Sequence, residues 1–233
     1  MTDLNLKQRE IMDRVILSVR NCPQKGDDQT DVPYLRRGNF AIFVQLLAGK
    51  KNHDGQYTAC LTVTDSLMEK WKISFEELVK AACENSKHLF PGKIYRLEEF
   101  VDYSTDKQMR PDGDIAPEVF VLTNNTHFNG ASAMFYQPEL LNDLSEQYER
   151  IVLMPTGTNE IYCIAAEGED THGYQQLFDE IIEVMEDEKI LSKEVLFYNK
   201  DSRELERSNG ESFDPELTRL TDEQNFRNAR RGR

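Results

Sequence analysis

Apolar positions recur along the chain in short runs separated by polar breaks bearing Gly and Pro, a spacing that predicts alternating helices and strands. Ile11, Met12, Val15, Ile16 and Val19 fall on one stripe of a 3.6-residue repeat. They predict an amphipathic helix over 6–20, with Asn5 and Gln8 at its start. Residues 21–33 hold Pro23, Gly26 and Pro33 and read as a linker. The run 40–47 is apolar on both faces, as a central strand would be. Tyr57, Ala59, Leu61 and Val63 alternate with smaller or polar residues, and Asp54-Gly55 marks the turn of a hairpin between them. A helical turn opening at Asp65 carries Leu67, Met68 and Trp71. The lone tryptophan is expected in the core beside Leu67 and Leu78. Ser74 and Glu77 form a capping box for a helix over 75–86, which Pro91-Gly92 ends.

The second half repeats the rhythm. A short helix over 97–103 and a polar loop to 117 precede strands over 119–122 and 131–136, joined through residues 124–130. Pro138 opens a helix that uses Leu140, Leu141, Leu144 and Tyr148. Strands over 150–154 and 160–165 follow, then a helix over 174–188 with Leu177, Phe178, Ile181, Ile182 and Met185 inward, and a last strand over 195–198. The order predicts an α+β fold of repeated strand–strand–helix units, a largely antiparallel sheet with helices packed on it. A faint echo between 55–71 and 130–144 fits such a repeat. The organisation expected is an N-terminal helix and linker over 1–33, a core over 34–206 with a subdivision near 97–117, and a disordered tail over 207–233.

Composition narrows the function classes. The 233 residues carry a net charge of −14, which opposes phosphate-backbone binding and docking on an anionic membrane. A protein partner with a basic surface fits that charge. Cys22, Cys60, Cys83 and Cys163 are scattered, as are the four histidines. They suggest reduced thiols in a cytoplasmic protein and no metal or cofactor site. No apolar run approaches the ~20 residues of a membrane span.

Three stretches resemble an uncharacterised bacterial family known only as a domain of unknown function, of the 5688 type. They are Leu67-Met68-Glu69-Lys70-Trp71 through Phe75-Glu76-Glu77-Leu78 to Leu89-Phe90-Pro91; Val121-Leu122-Thr123-Asn124 with Asn129-Gly130-Ala131, Met134 and Tyr136; and Met154-Pro155-Thr156 with Glu160. The resemblance covers about 40–198, departs at Asn159 where a histidine would stand, and implies a soluble bacterial α+β domain without naming a reaction.

Candidate contacts with a ligand or partner fall in three places. Asn124 and Asn129 bracket a loop that also holds Thr126 and His127. Thr156 and Glu160 lie in the connection between the strands that follow. The third is the segment 167–188, which holds nine carboxylates and no Lys or Arg; Glu180, Glu183, Glu186 and Asp187 are its candidate recognition face. Like charges three or four residues apart on a helix each cost a few tenths of a kcal/mol. With no recognisable catalytic motif, the sequence favours a cytosolic protein-binding or adaptor domain over an enzyme. An acidic inhibitor that mimics nucleic acid, and an enzyme acting at the 124–160 loops, are the alternatives.

Overall fold

The computed structural model describes residues 7–23, 31–51, 57–104, 118–166, 171–183, 185 and 190–213. The mixed α+β architecture with antiparallel sheets is present. A short helix α1 (Gln8–Met12) leads into β1 (Val15–Asn21), and β2 (Leu35–Arg37), β3 (Phe40–Lys51) and β4 (Tyr57–Thr62) complete a first sheet. β3 runs through its centre. β1 lies along one side, with Val15 opposite Leu46 and Asn21 opposite Phe40, while β2 and β4 share the other.

The helix expected over 6–20 is therefore mostly a strand. Val15, Ile16, Leu17, Ser18 and Val19 are all buried, so the segment uses both faces. β-branched side chains suit a strand packed on both sides better than a helix. The outer side of β1 meets side chains instead of another strand. Leu17 N–H donates to Ser86 Oγ at 2.8 Å, Asn85 Nδ2 donates to the carbonyls of Met12 and Val15, and Ser132 Oγ donates to Leu17 O. These bonds explain why Ser86 and Ser132 are buried, since unpaired backbone groups in a core are costly.

Helices α2 (Asp65–Trp71) and α3 (Phe75–Leu89) start where their caps predict. Thr64 caps the first. At the second, Ser74 Oγ accepts from Glu77 N–H while Glu77 Oε2 accepts from Ser74 N–H. Trp71 is buried in the same cluster as Leu67 and Leu78.

The second sheet has six strands in the order β10-β9-β7-β8-β6-β5, all antiparallel. They are β5 (Gly92–Arg96), β6 (Val119–Asn124), β7 (Arg150–Met154), β8 (Ile161–Ala166), β9 (Leu196–Asn199) and β10 (Glu204–Glu206). Gly92 thus begins a strand. α4 (Leu97–Ser104) follows β5. The strand expected over 131–136 is a 3-10 turn (Gly130–Ser132) running into α5 (Ala133–Tyr136), followed by α6 (Glu139–Ser145). All of 131–136 is buried, so no periodicity distinguished helix from strand. With that strand gone, the middle strand–strand–helix round and its echo with 55–71 are lost, while the first and last rounds stand.

One face of this sheet, with Leu122, Ile151, Leu153, Ile161, Cys163 and Leu196, shares the main core with the first sheet, α3 and α5. The opposite face, with Val152, Met154, Ile164, Val195 and Phe197, is covered by α7 (Thr171–Glu183) through Phe178. Beyond β10, Phe213 is buried against Phe40, 5.3 Å between ring centroids, and Arg207 pairs with Glu194 at 2.5 Å. Arg207 and Phe213 therefore pack within the segment expected to be a tail, while 208–212 are exposed; 214–233 lie outside the described residues.

Candidate functional site

The two loops singled out in the sequence touch. Ala131 N–H donates to Thr158 O at 3.1 Å, Asn129 N–H to Asn159 Oδ1 at 3.3 Å, and Thr123 Oγ to Asn159 O at 2.7 Å. Within this pair most of the named polar groups serve the fold. Asn124 is 1% exposed. Its Oδ1 accepts from the N–H and Oγ of Thr126, and its Nδ2 donates to Phe128 O, a self-contained turn. Asn129 adopts φ 51° and donates from Nδ2 to Gln45 Oε1 of the first sheet at 2.9 Å. Thr156 is buried, with its N–H on Met154 O.

Glu160 differs. It is half-buried, and burial holds its carboxyl above the ordinary range, an effect partly offset by His127. His127 sits at φ 57° with its ring 5.2 Å from Phe100 and 6.0 Å from Tyr95. Its Nδ1 is buried and makes no hydrogen bond among the described residues. Tyr95 and Phe100 carry no motif, so their part in this cluster was not readable in advance.

The raised value gives Glu160 a pH signature. Its charged form is the one disfavoured in the fold, so the stability tied to it is full below the unfolded value near 4.5. That stability is lost as pH rises through the folded value. Glu160→Gln is expected to raise the melting temperature at pH 7 and leave it unchanged near pH 4. A lower melting temperature at pH 7, or the same shift at both pH values, would contradict this.

No thiol is poised for nucleophilic work at the loop pair. Cys83 and Cys163 are buried, and desolvation pushes both up to about 12.

Helix α7 presents the other candidate face. Tyr174, Phe178 and Ile182 repeat every four residues and turn to the sheet. Leu177 and Ile181 lie one residue earlier, about 100° round the helix. They are 42% and 37% exposed, whereas the sequence reading had placed them inward. Glu180 and Glu183 are exposed and make no ion pair among the described residues. Asp179 accepts from Gln175. Glu186 and Asp187 lie outside the described residues.

A family model described as a family of unknown function, DUF5688, matches residues 3–200. The chain belongs to the DUF5688 family. No curated protein and no solved structure matches it. The DUF5688 match begins before α1 and ends just past β9. It therefore takes in β1, which the sequence resemblance over 40–198 left out, and the whole of α7. β10 and Phe213 lie beyond it. Among the described residues of this DUF5688 chain, no helix is long and apolar enough to cross a membrane.

Proposed function

We propose that this chain is a cytosolic protein-binding domain whose α7 face docks a basic segment carrying apolar side chains. The observation that supports it best is the pair Leu177 and Ile181, exposed one turn apart on a helix whose neighbouring carboxylates Glu180 and Glu183 are unpaired among the described residues. Burying what remains exposed of the two side chains is worth about 3 kcal/mol at ~25 cal/mol per Å². The flanking carboxylates add attraction and select a cationic partner, in keeping with the net charge of −14. A mimic of nucleic acid has less in its favour, because a phosphate-binding groove gains nothing from Leu177 and Ile181. Catalysis at the loop pair also has less behind it, since Asn124, Asn129 and Thr156 spend their polar groups within the fold.

Leu177→Asp with Ile181→Asp is expected to abolish binding of a protein recovered with the wild-type chain. Circular dichroism should be unchanged, because Phe178 still anchors the helix. Glu180→Lys with Glu183→Lys should weaken the same complex and flatten its salt dependence. Undiminished binding by both variants would remove α7 from the interface.

A further inference from the structure

The two edges of the second sheet are finished differently. At β10 the chain that follows folds back along the strand, where Glu206 bridges Ser212 and Phe213 N–H donates to Leu205 O at 2.6 Å. On β1 of the first sheet, Asn85, Ser86 and Ser132 serve the outer backbone groups. β5 is the opposite edge of the second sheet. Its middle has no such cover among the described residues.

In an antiparallel ladder, residues that exchange bonds with the neighbouring strand alternate with residues whose N–H and C=O point away. Asn125 N–H donates to Pro91 O, which puts Lys93 and Tyr95 with Pro91 in the bonded set. Gly92, Ile94 and Arg96 therefore turn their backbone groups outward. Gly92 N–H agrees with this phase, donating to Gln137 Oε1 at 3.0 Å. Ile94 N–H and C=O have no partner among the described residues. Edge strands are commonly blunted by charge, Pro or a bulge. Here the register runs unbroken from Gly92 to Arg96, and both cations are drawn aside. Lys93 Nζ lies 4.0 Å from the Tyr95 ring centroid, and Arg96 pairs with Glu118 at 2.9 Å.

Beside this edge lies a cavity of about 410 Å³. Ile94, Phe120, Leu140 and Leu144 give it an apolar floor, the last two one turn apart on α6. Residues paired across neighbouring strands point to the same face. A residue set opposite Ile94 on an added strand would therefore direct its side chain into the cavity. Asp143 and Glu99 stand at the rim, exposed and without an ion pair among the described residues.

We infer that the β5 edge takes up an extended segment of a partner polypeptide as an added strand, with an apolar side chain opposite Ile94 and a basic residue beside it facing Asp143 or Glu99. Main-chain bonds to Ile94 anchor the segment, while the cavity and the two carboxylates select it. This surface is separate from α7, which covers the other face of the sheet over β7, β8 and β9, and it does not depend on the reading of that helix.

The test selects peptides from a random display library on the full chain and measures their binding to variants. The expected consensus alternates apolar and polar positions and carries Lys or Arg. Ile94→Pro removes the outward N–H and no bond to β6. It should weaken the selected peptides roughly ten-fold, with circular dichroism unchanged. Asp143→Lys, at an exposed position, should weaken them about three-fold. In the wild-type chain the Ile94 amide should exchange freely alone and about ten-fold more slowly with peptide bound, which tests the pairing even where the proline variant fails to fold. No enriched peptide, an acidic consensus, undiminished binding by either folded variant, or an Ile94 amide already protected in the free chain would each overturn the inference. Leu177→Asp with Ile181→Asp should leave these peptides bound as in wild type; their loss in that variant would place them on α7 and overturn the β5 assignment while supporting the other face.

Discussion

Phe40→Ala is expected to destabilise the fold by about 3–5 kcal/mol, the cost of emptying a large buried aromatic site. Phe40 is fully buried at the start of β3, where it stands opposite Asn21 on one side and Arg37 on the other. Its ring meets the edge of Phe135, 5.8 Å between centroids, and the tilted face of Phe213 at 5.3 Å. One side chain therefore joins the first sheet, the turn at α5 and the segment that follows β10. The surroundings cannot collapse into the space, because they belong to three separately held elements. Urea unfolding of the variant measures the loss, and a change below 1 kcal/mol would show that these elements do not share a core.

Gly130→Ala is the second large expectation, at about 3 kcal/mol. A Cβ on Gly130 would press into Thr123 Oγ and the Asn159 carbonyl, and within 3 Å of the Thr123 Cα. Two of those neighbours are backbone, and the third is already hydrogen-bonded to Asn159 O. Relief would need the 124–130 and 155–160 loops to part. That would also strain the bond from Ala131 N–H to Thr158 O. Thermal unfolding checks it, and a variant as stable as wild type would mean the loops are not locked together.

How much of this was legible depended on how sharply each segment separates its inside from its outside. α3 was readable because Ser74 and Glu77 announce its start and its apolar residues keep one face. β7 was readable to the residue, a short apolar run between polar ends. β1 was misread because Ile11, Met12, Val15, Ile16 and Val19 satisfy a helical stripe and a doubly buried strand equally well; pairing with β3 decides it. The 131–136 segment is buried throughout, so its pattern held no direction. At the candidate site, residue type drew attention to Asn124 and Thr156, yet both work inside the fold. The useful signal lay in α7. An apolar set spanning Tyr174, Leu177, Phe178, Ile181 and Ile182 is wider than one sheet face can cover. The excess, Leu177 and Ile181, is what the structure leaves exposed.

The most direct measurement places a photocrosslinking side chain at position 177 of the full chain and identifies what it captures. A surface built from Leu177, Ile181, Glu180 and Glu183 predicts adducts with polypeptide segments of net positive charge carrying at least one large apolar residue. It also predicts that Glu180→Lys with Glu183→Lys reduces their yield. Adducts with acidic or uncharged segments, adducts indifferent to the charge reversal, or no adduct at all would contradict the assignment of α7 as the docking face.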